Sequence, residues 1–142
     1  MAERIVADNA LSLYKPYPKQ FAFHASGGPL HVRERLLRAG NQLGKTWSAG
    51  FEHAMHLTGR YPDCWPGAVF DEATIGWAAS ETGQSTRDTV QRILLGQVGS
   101  WGTGSIPRDA IKEIKRAAHG VPDAVETVLV RHGGGGDVQA GT

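Results

Sequence analysis

The amino-acid sequence predicts an α/β fold, a sandwich of helices around a mainly parallel sheet, and two observations carry that expectation. Segments with the composition of strands alternate with segments whose apolar residues recur at helical spacing. A turn rich in small residues, 40–46, joins the first such strand to the first such helix. No internal repeat interrupts the alternation, and no apolar run approaches the roughly 18 residues that would suggest a membrane span.

Residues 1–30 read as a lead-in: 11–29 are irregular and dense in Pro, aromatic residues and Lys, which predicts an extended segment lying on a domain. Residues 33–39, with Leu36 and Leu37 ahead of Gly40, are expected to form a strand, mainly because of the turn that follows. From 45 to 57, Trp47, Phe51, Ala54 and Met55 fall at helical spacing as core residues, with Ser48, Glu52, His53 and His56 on a solvated side and Gly59 ending the helix. Two prolines make 61–67 a loop, after which Ile75, Trp77 and Ala79, alternating with small residues, predict a buried strand over 74–80.

Ser85 and Asp88 have capping-box spacing ahead of Val90, Ile93 and Leu94, a second helix stopped at Gly96. Arg87 and Arg92 are expected on its exposed side, where water, DNA or a neighbouring subunit could meet them, water being the commonest partner. Ser105 and Pro107 open a third helix, with Ile111, Ile114, Ala117 and Ala118 on one face and Gly120 past its end. A β-rich run, 125–130, precedes the glycines at 133–136, and 133–142 are expected to be disordered.

Composition fits one globular domain: 40% of the 142 residues are apolar and 20% charged, enough to bury a core. The 19 Gly and 7 Pro stay below the roughly 25–30% that marks low-complexity sequence, so the glycines belong to turns. A formal net charge of +1 lacks the electrostatic footprint of a stand-alone nucleic-acid binder. One cysteine, Cys64, excludes an intramolecular disulfide and suits a reducing compartment. An acidic start without an apolar h-region predicts a soluble, cytoplasmic chain. Glu52, His53 and His56 place two imidazoles and a carboxylate within one helical turn, but the order is not His-Glu-x-x-His, and a solvated face is expected in place of a zinc site.

Gly40-Asn41-Gln42-Leu43-Gly44-Lys45-Thr46 resembles the P-loop, whose backbone N–H groups close around phosphate oxygens and therefore demand small residues. Lys45 at the helix start would reach the β and γ phosphates of ATP, and the Thr46 hydroxyl would ligate Mg²⁺. The usual first glycine would fall at position 39, which is Ala39; Gly40 is expected to supply the flexibility. Gly-Lys-[Ser/Thr] alone arises by chance in roughly one chain in ten to twenty of this length, so its weight comes from the strand before it and the helix after it. A glycine-rich structural turn is the alternative.

Around the loop, Arg38 to Thr46 resembles the ATPase site of tailed-phage terminase large subunits. Tyr17-Pro18-Lys19-Gln20-Phe21 with Phe23-His24 is similar to that family's adenine-binding segment, and His56-Leu57-Thr58-Gly59-Arg60-Tyr61-Pro62, the stretch 80–96 and Gly102 to Pro107 continue the likeness across 14–132. The resemblance implies a P-loop NTPase sandwich in which 31–132 form a partial ATPase domain, and an amide at Gln20 that reads adenine by donating to a ring acceptor and accepting from the exocyclic amine. It further implies a packaging motor in the host cytoplasm, transiently at the procapsid portal. Its implied partners are the terminase small subunit, the portal, double-stranded DNA and a homo-oligomeric ring.

The resemblance also implies an apolar strand ending in paired acids, a coupling motif and a nuclease domain, none of which is evident here. Ala68-Val69-Phe70-Asp71-Glu72 imitates the acidic pair, but Pro66 and Gly67 shorten its apolar run, and Asp71 and Glu72 read as loop acids. Many relatives place an arginine in the phosphate loop to stabilise developing charge; Asn41 stands there, and Arg38 precedes the loop. The fold is accordingly expected to be incomplete, with the reading frame shifting or ending near the glycines. Three functions fit: an ATPase engine piece, a catalytically silent nucleotide-binding remnant, or an unrelated small P-loop enzyme.

Overall fold

The computed structural model describes residues 10–28, 32–40, 44–133 and 136–141, the last segment for its backbone alone. Helix α1 is Pro18–Ser26, which corrects the expectation of an extended lead-in. Pro18 sits in the first turn, where a missing N–H costs nothing and its fixed φ suits the helix. The Tyr17 N–H donates to Gln20 Oε1 at 2.8 Å and closes that end. The prolines that read as helix breakers start one.

Helix α2, Lys45–Thr58, begins after Gly44 and stops at Gly59, both left-handed (φ 73° and 68°), a conformation that costs glycine little. Phe51, Ala54, Met55 and Leu57 are buried in the core with Leu11, Tyr14, Leu94 and Ile106. Trp47, expected in the core, is 52% exposed and leans on the Phe51 ring at 4.7 Å. The supposedly solvated face is also corrected: Ser48 and Glu52 are buried, because their polar groups find partners inside the molecule.

A helical stretch, α3, spans 83–95 as an α turn Gly83–Ser85, a π segment Thr86–Gln91 and an α turn Arg92–Leu95. Its cap is Thr82, whose Oγ1 accepts from the Ser85 N–H at 3.1 Å; the expected Ser85–Asp88 box does not form, and Asp88 pairs with Arg87. After Gly96 the chain folds back on this helix through Gly102 N–H to Leu95 O at 2.9 Å, Ser105 N–H to Ile93 O at 2.8 Å and Ile106 N–H to Leu94 O at 2.9 Å.

The expected third helix is instead a 3-10 turn, Arg108–Ala110, followed by strand β1, Ile111–Arg116. β1 pairs antiparallel with β2, Val125–His132, where the sequence places a β-rich run. Ile111 lies opposite Val130 and Glu113 opposite Leu129, so one extra residue is accommodated in β1 between them. That bulge puts Ile111 and Ile114, three apart, on one face, and so gives a strand the apparent period of a helix. Strand β3, Gly136–Gly141, pairs antiparallel with the other edge of β2, in a segment expected to be disordered: a backbone ladder needs no side chains.

The sheet order is β1-β2-β3, and the pairings among the described residues are antiparallel. Segments 33–39 and 74–80, the expected strands, form no ladder among the described residues. No strand lies beside them among the described residues, so their faces stay uncovered: Leu36 is 82%, Ile75 73% and Trp77 78% exposed, against the expected burial of 74–80.

Candidate functional site

Of the sequence-predicted residues, Gln20, Gly40, Gly44, Lys45 and Thr46 are described, and they lie at the start of α2. Gly44, left-handed, sits at the N-cap, and no side chain among the described residues caps the first-turn amides. Lys45 follows, and its ammonium donates to Ala39 O at 2.6 Å and Gly40 O at 2.8 Å. Thr46 is exposed in the first turn. Asn41, Gln42 and Leu43 lie outside the described residues.

Gln20 comes to the same place from α1. Its Nε2 donates to Gly44 O at 3.2 Å while its Oε1 accepts from Tyr17 N–H. The approach is close enough that a Cβ on Gly44 would lie 2.7 Å from Gln20 Nε2. Each half of a primary amide has capacity for one bond more, so the group is anchored without being exhausted. Beside Lys45 and Thr46 opens a cleft of about 470 Å³ walled by Arg35, His53 and Trp77. Burial lowers the pKa of His53, and the neighbouring His56 adds to the shift. Asp71 and Glu72 are exposed in a bend and are not among the lining residues.

One part of this region escaped the sequence. Glu52, two turns along α2 from Lys45, accepts from Arg35 Nη2 at 2.5 Å, from His24 Nδ1 at 2.8 Å and from His56 Nε2 at 3.3 Å. Burial pushes its carboxyl up, but hydrogen bonds from His24, His56 and Arg35 outweigh that and hold it well below the usual carboxylate range. With the carboxylate accepting from Nδ1, His24 Nε2 is the acceptor for the Tyr14 O–H at 2.9 Å. Burial pushes the Tyr14 hydroxyl up to about 12, with the Glu52 charge adding to it, so Tyr14 remains a donor at ordinary pH. His56 lies one turn along the helix from Glu52, but His24 and Arg35 lie far from it in the chain, and neither periodicity nor motif joins them to it. No cluster of His, Cys, Asp and Glu among the described residues has the arrangement of a metal site.

The chain is thus a mixed α/β protein in which a lysine at the first position of a helix and a glutamine from a neighbouring helix meet at one glycine. Residues 36–126 match the family model described as "Terminase large subunit, T4likevirus-type, N-terminal". The chain belongs to the terminase large subunit family. It is 37% identical over 134 residues to the terminase large subunit of Salmonella phage P22, a match that covers 84% of this chain and 26% of that protein. The chain thus spans about a quarter of that relative's length. No solved structure matches it.

Proposed function

We propose that this chain is the nucleotide-binding part of a phage DNA-packaging ATPase, taking ATP with its triphosphate at the N-terminus of α2. The observation that carries the reading is the meeting of Gln20, Gly44 and Lys45: an amide able to read a base and an ammonium able to bind phosphate lie together at the start of a helix. The carbonyls of Ala39 and Gly40 hold the ammonium where phosphate oxygens would compete for it. Lys45 would neutralise phosphate charge, the first-turn amides would orient it, and Gln20 would keep its anchor while offering its remaining donor and acceptor to adenine.

Mg²⁺ fits the site in part. Thr46 offers a hard hydroxyl oxygen, the remaining ligands would be phosphate oxygens and water, and the bound ion would neutralise charge on the transferred phosphoryl group. In this reading the extended segments 33–39 and 74–80 are strands of a mainly parallel P-loop NTPase sheet, paired with strands from the longer protein. That protein would work in the host cytoplasm and at the procapsid portal, with a small subunit, the portal, double-stranded DNA and copies of itself as partners. No helix of the described residues is long and apolar enough to cross a membrane.

A second reading, nucleotide binding without turnover in this chain alone, is favoured by the cleft wall: the described residues lining it beside Thr46 include no carboxylate to polarise an attacking water. Equilibrium binding of a fluorescent ATP analogue, with Lys45→Ala as control, tests the site. Binding should weaken at least about ten-fold in the variant, the scale of one lost charge-assisted bond. Equal binding by both would reject the site, and steady hydrolysis abolished by Lys45→Ala would reject the second reading.

A further inference from the structure

Glu52 is where the elements of the proposed nucleotide site meet. His24, which donates to its Oε2, lies one turn along α1 from Gln20. Arg35, which donates to its Oε1, belongs to the segment leading to Gly40. Glu52 itself stands on α2, roughly two turns from Lys45 and on the same side of the helix. Arg35 reinforces the joint: its Nη1 donates to Phe23 O at 3.0 Å and its guanidinium lies 4.7 Å from the Phe23 ring centre. The packing is close, since a Cβ on Gly27 would lie 2.8 Å from the guanidinium carbon.

Burying a carboxylate costs several kcal/mol and is recovered only when its partners are fixed and well aimed. Apolar residues would fill such a space as well, and what they would not provide is direction. A bond of 2.8 Å from His24 Nδ1, itself held by Tyr14, sets both the rotation and the height of α1 against α2. The base end and the phosphate end of a nucleotide are carried by those two helices separately.

We infer that Glu52 is a positioning residue that fixes the base-reading helix against the phosphate-holding helix, so that nucleobase selectivity depends on it. The inference rests on the nucleotide-binding reading above. It makes a claim that a purely structural carboxylate would not meet: loss of Glu52 should harm recognition of the base more than recognition of the phosphates, because the phosphate groups sit on α2 itself while the base group sits on α1 and depends for its aim on the Glu52 joint as well as on the Gln20–Gly44 bond.

The test measures dissociation constants of the 142-residue chain for ATP, GTP and inorganic tripolyphosphate by calorimetry, with folding of each variant checked by circular dichroism. For Glu52→Gln, the affinity for ATP should fall about ten-fold toward that for GTP, while tripolyphosphate stays within about two-fold of wild type. Should Glu52→Gln fail to fold, His24 supplies the second pair. His24→Asn keeps a donor near the place of Nδ1 and should retain the preference for ATP, and His24→Leu should lose it. Equal weakening of all three ligands, or an unchanged ATP to GTP ratio in both Glu52→Gln and His24→Leu, overturns the inference and leaves the site standing provided that wild type binds and Lys45→Ala does not. A wild-type chain that binds none of the ligands overturns both.

Discussion

At the scale of single residues, the buried charge on Glu52 makes stability depend on acid. Its folded carboxyl titrates below its ordinary value of 4.5, so as pH falls the unfolded chain takes up the proton first. The stabilisation is therefore complete above 4.5 and is lost progressively below it. The side chain is only 6% exposed and meets three donors, so Glu52→Gln, which removes the charge that faces them, should cost on the order of 3 kcal/mol near neutrality. Urea unfolding of wild type and variant from about pH 7 down to about pH 3 reads both effects: the gap between midpoints should be constant at first and narrow below the ordinary carboxylate value. A gap that persists unchanged at the acid end would mean that the carboxylate is not held ionised by its neighbours. The Arg60–Asp109 pair contrasts with it. Its side chains are 42% and 62% exposed, and a pair so open to water contributes well under about 1 kcal/mol despite its two-pronged geometry.

At the scale of elements, backbone closeness decides the stability of the loop that returns onto α3. A Cβ at Gly104 would stand 2.6 Å from Gly96 N and from Leu94 C and O, which are backbone atoms that no side-chain rotation can move. Gly104→Ala should therefore cost about 1–3 kcal/mol, the usual penalty of overpacking, and a urea midpoint equal to wild type would show that the loop is looser than its three hydrogen bonds to 93–95 indicate. The same distinction between local and distant causes separates what the sequence discloses from what it conceals. The bounds of α2 are legible because both ends carry glycine and the apolar residues between them repeat at helical spacing; β2 is legible from its β-branched run. β1 is not, because its bulge reproduces the spacing of a helix, and the bulge exists only against β2. The buried side of α2 is equally hidden: Glu52 reads as solvated until His24 and Arg35 arrive from other parts of the chain. Of the candidate site, motif spacing brings Gly44 and Lys45 to attention and the family resemblance adds Gln20, whereas the bond that joins Gln20 to Gly44 is a fact of three dimensions.

At the scale of the whole molecule, what matters is apolar surface without a cover. Leu36, Ile75 and Trp77 stand exposed on segments whose backbones are extended and outside any ladder among the described residues, and such segments offer other chains both apolar side chains and free hydrogen-bonding groups. A net charge of only +1 gives little mutual repulsion to oppose association. The chain by itself should accordingly self-associate as its concentration rises into the micromolar range. Replacing Ile75 and Trp77 with Lys should suppress association, because the charges repel a second copy at the edge where pairing would begin. Both side chains already face water, so the exchange should alter the unfolding free energy by no more than about 0.5 kcal/mol. Sedimentation velocity over a concentration series, with urea unfolding of both proteins, separates solubility from stability. Should the double variant associate as wild type does, the uncovered segments would not be the adhesive surface; should it instead unfold far more readily, Ile75 and Trp77 would be contributing to the core in solution.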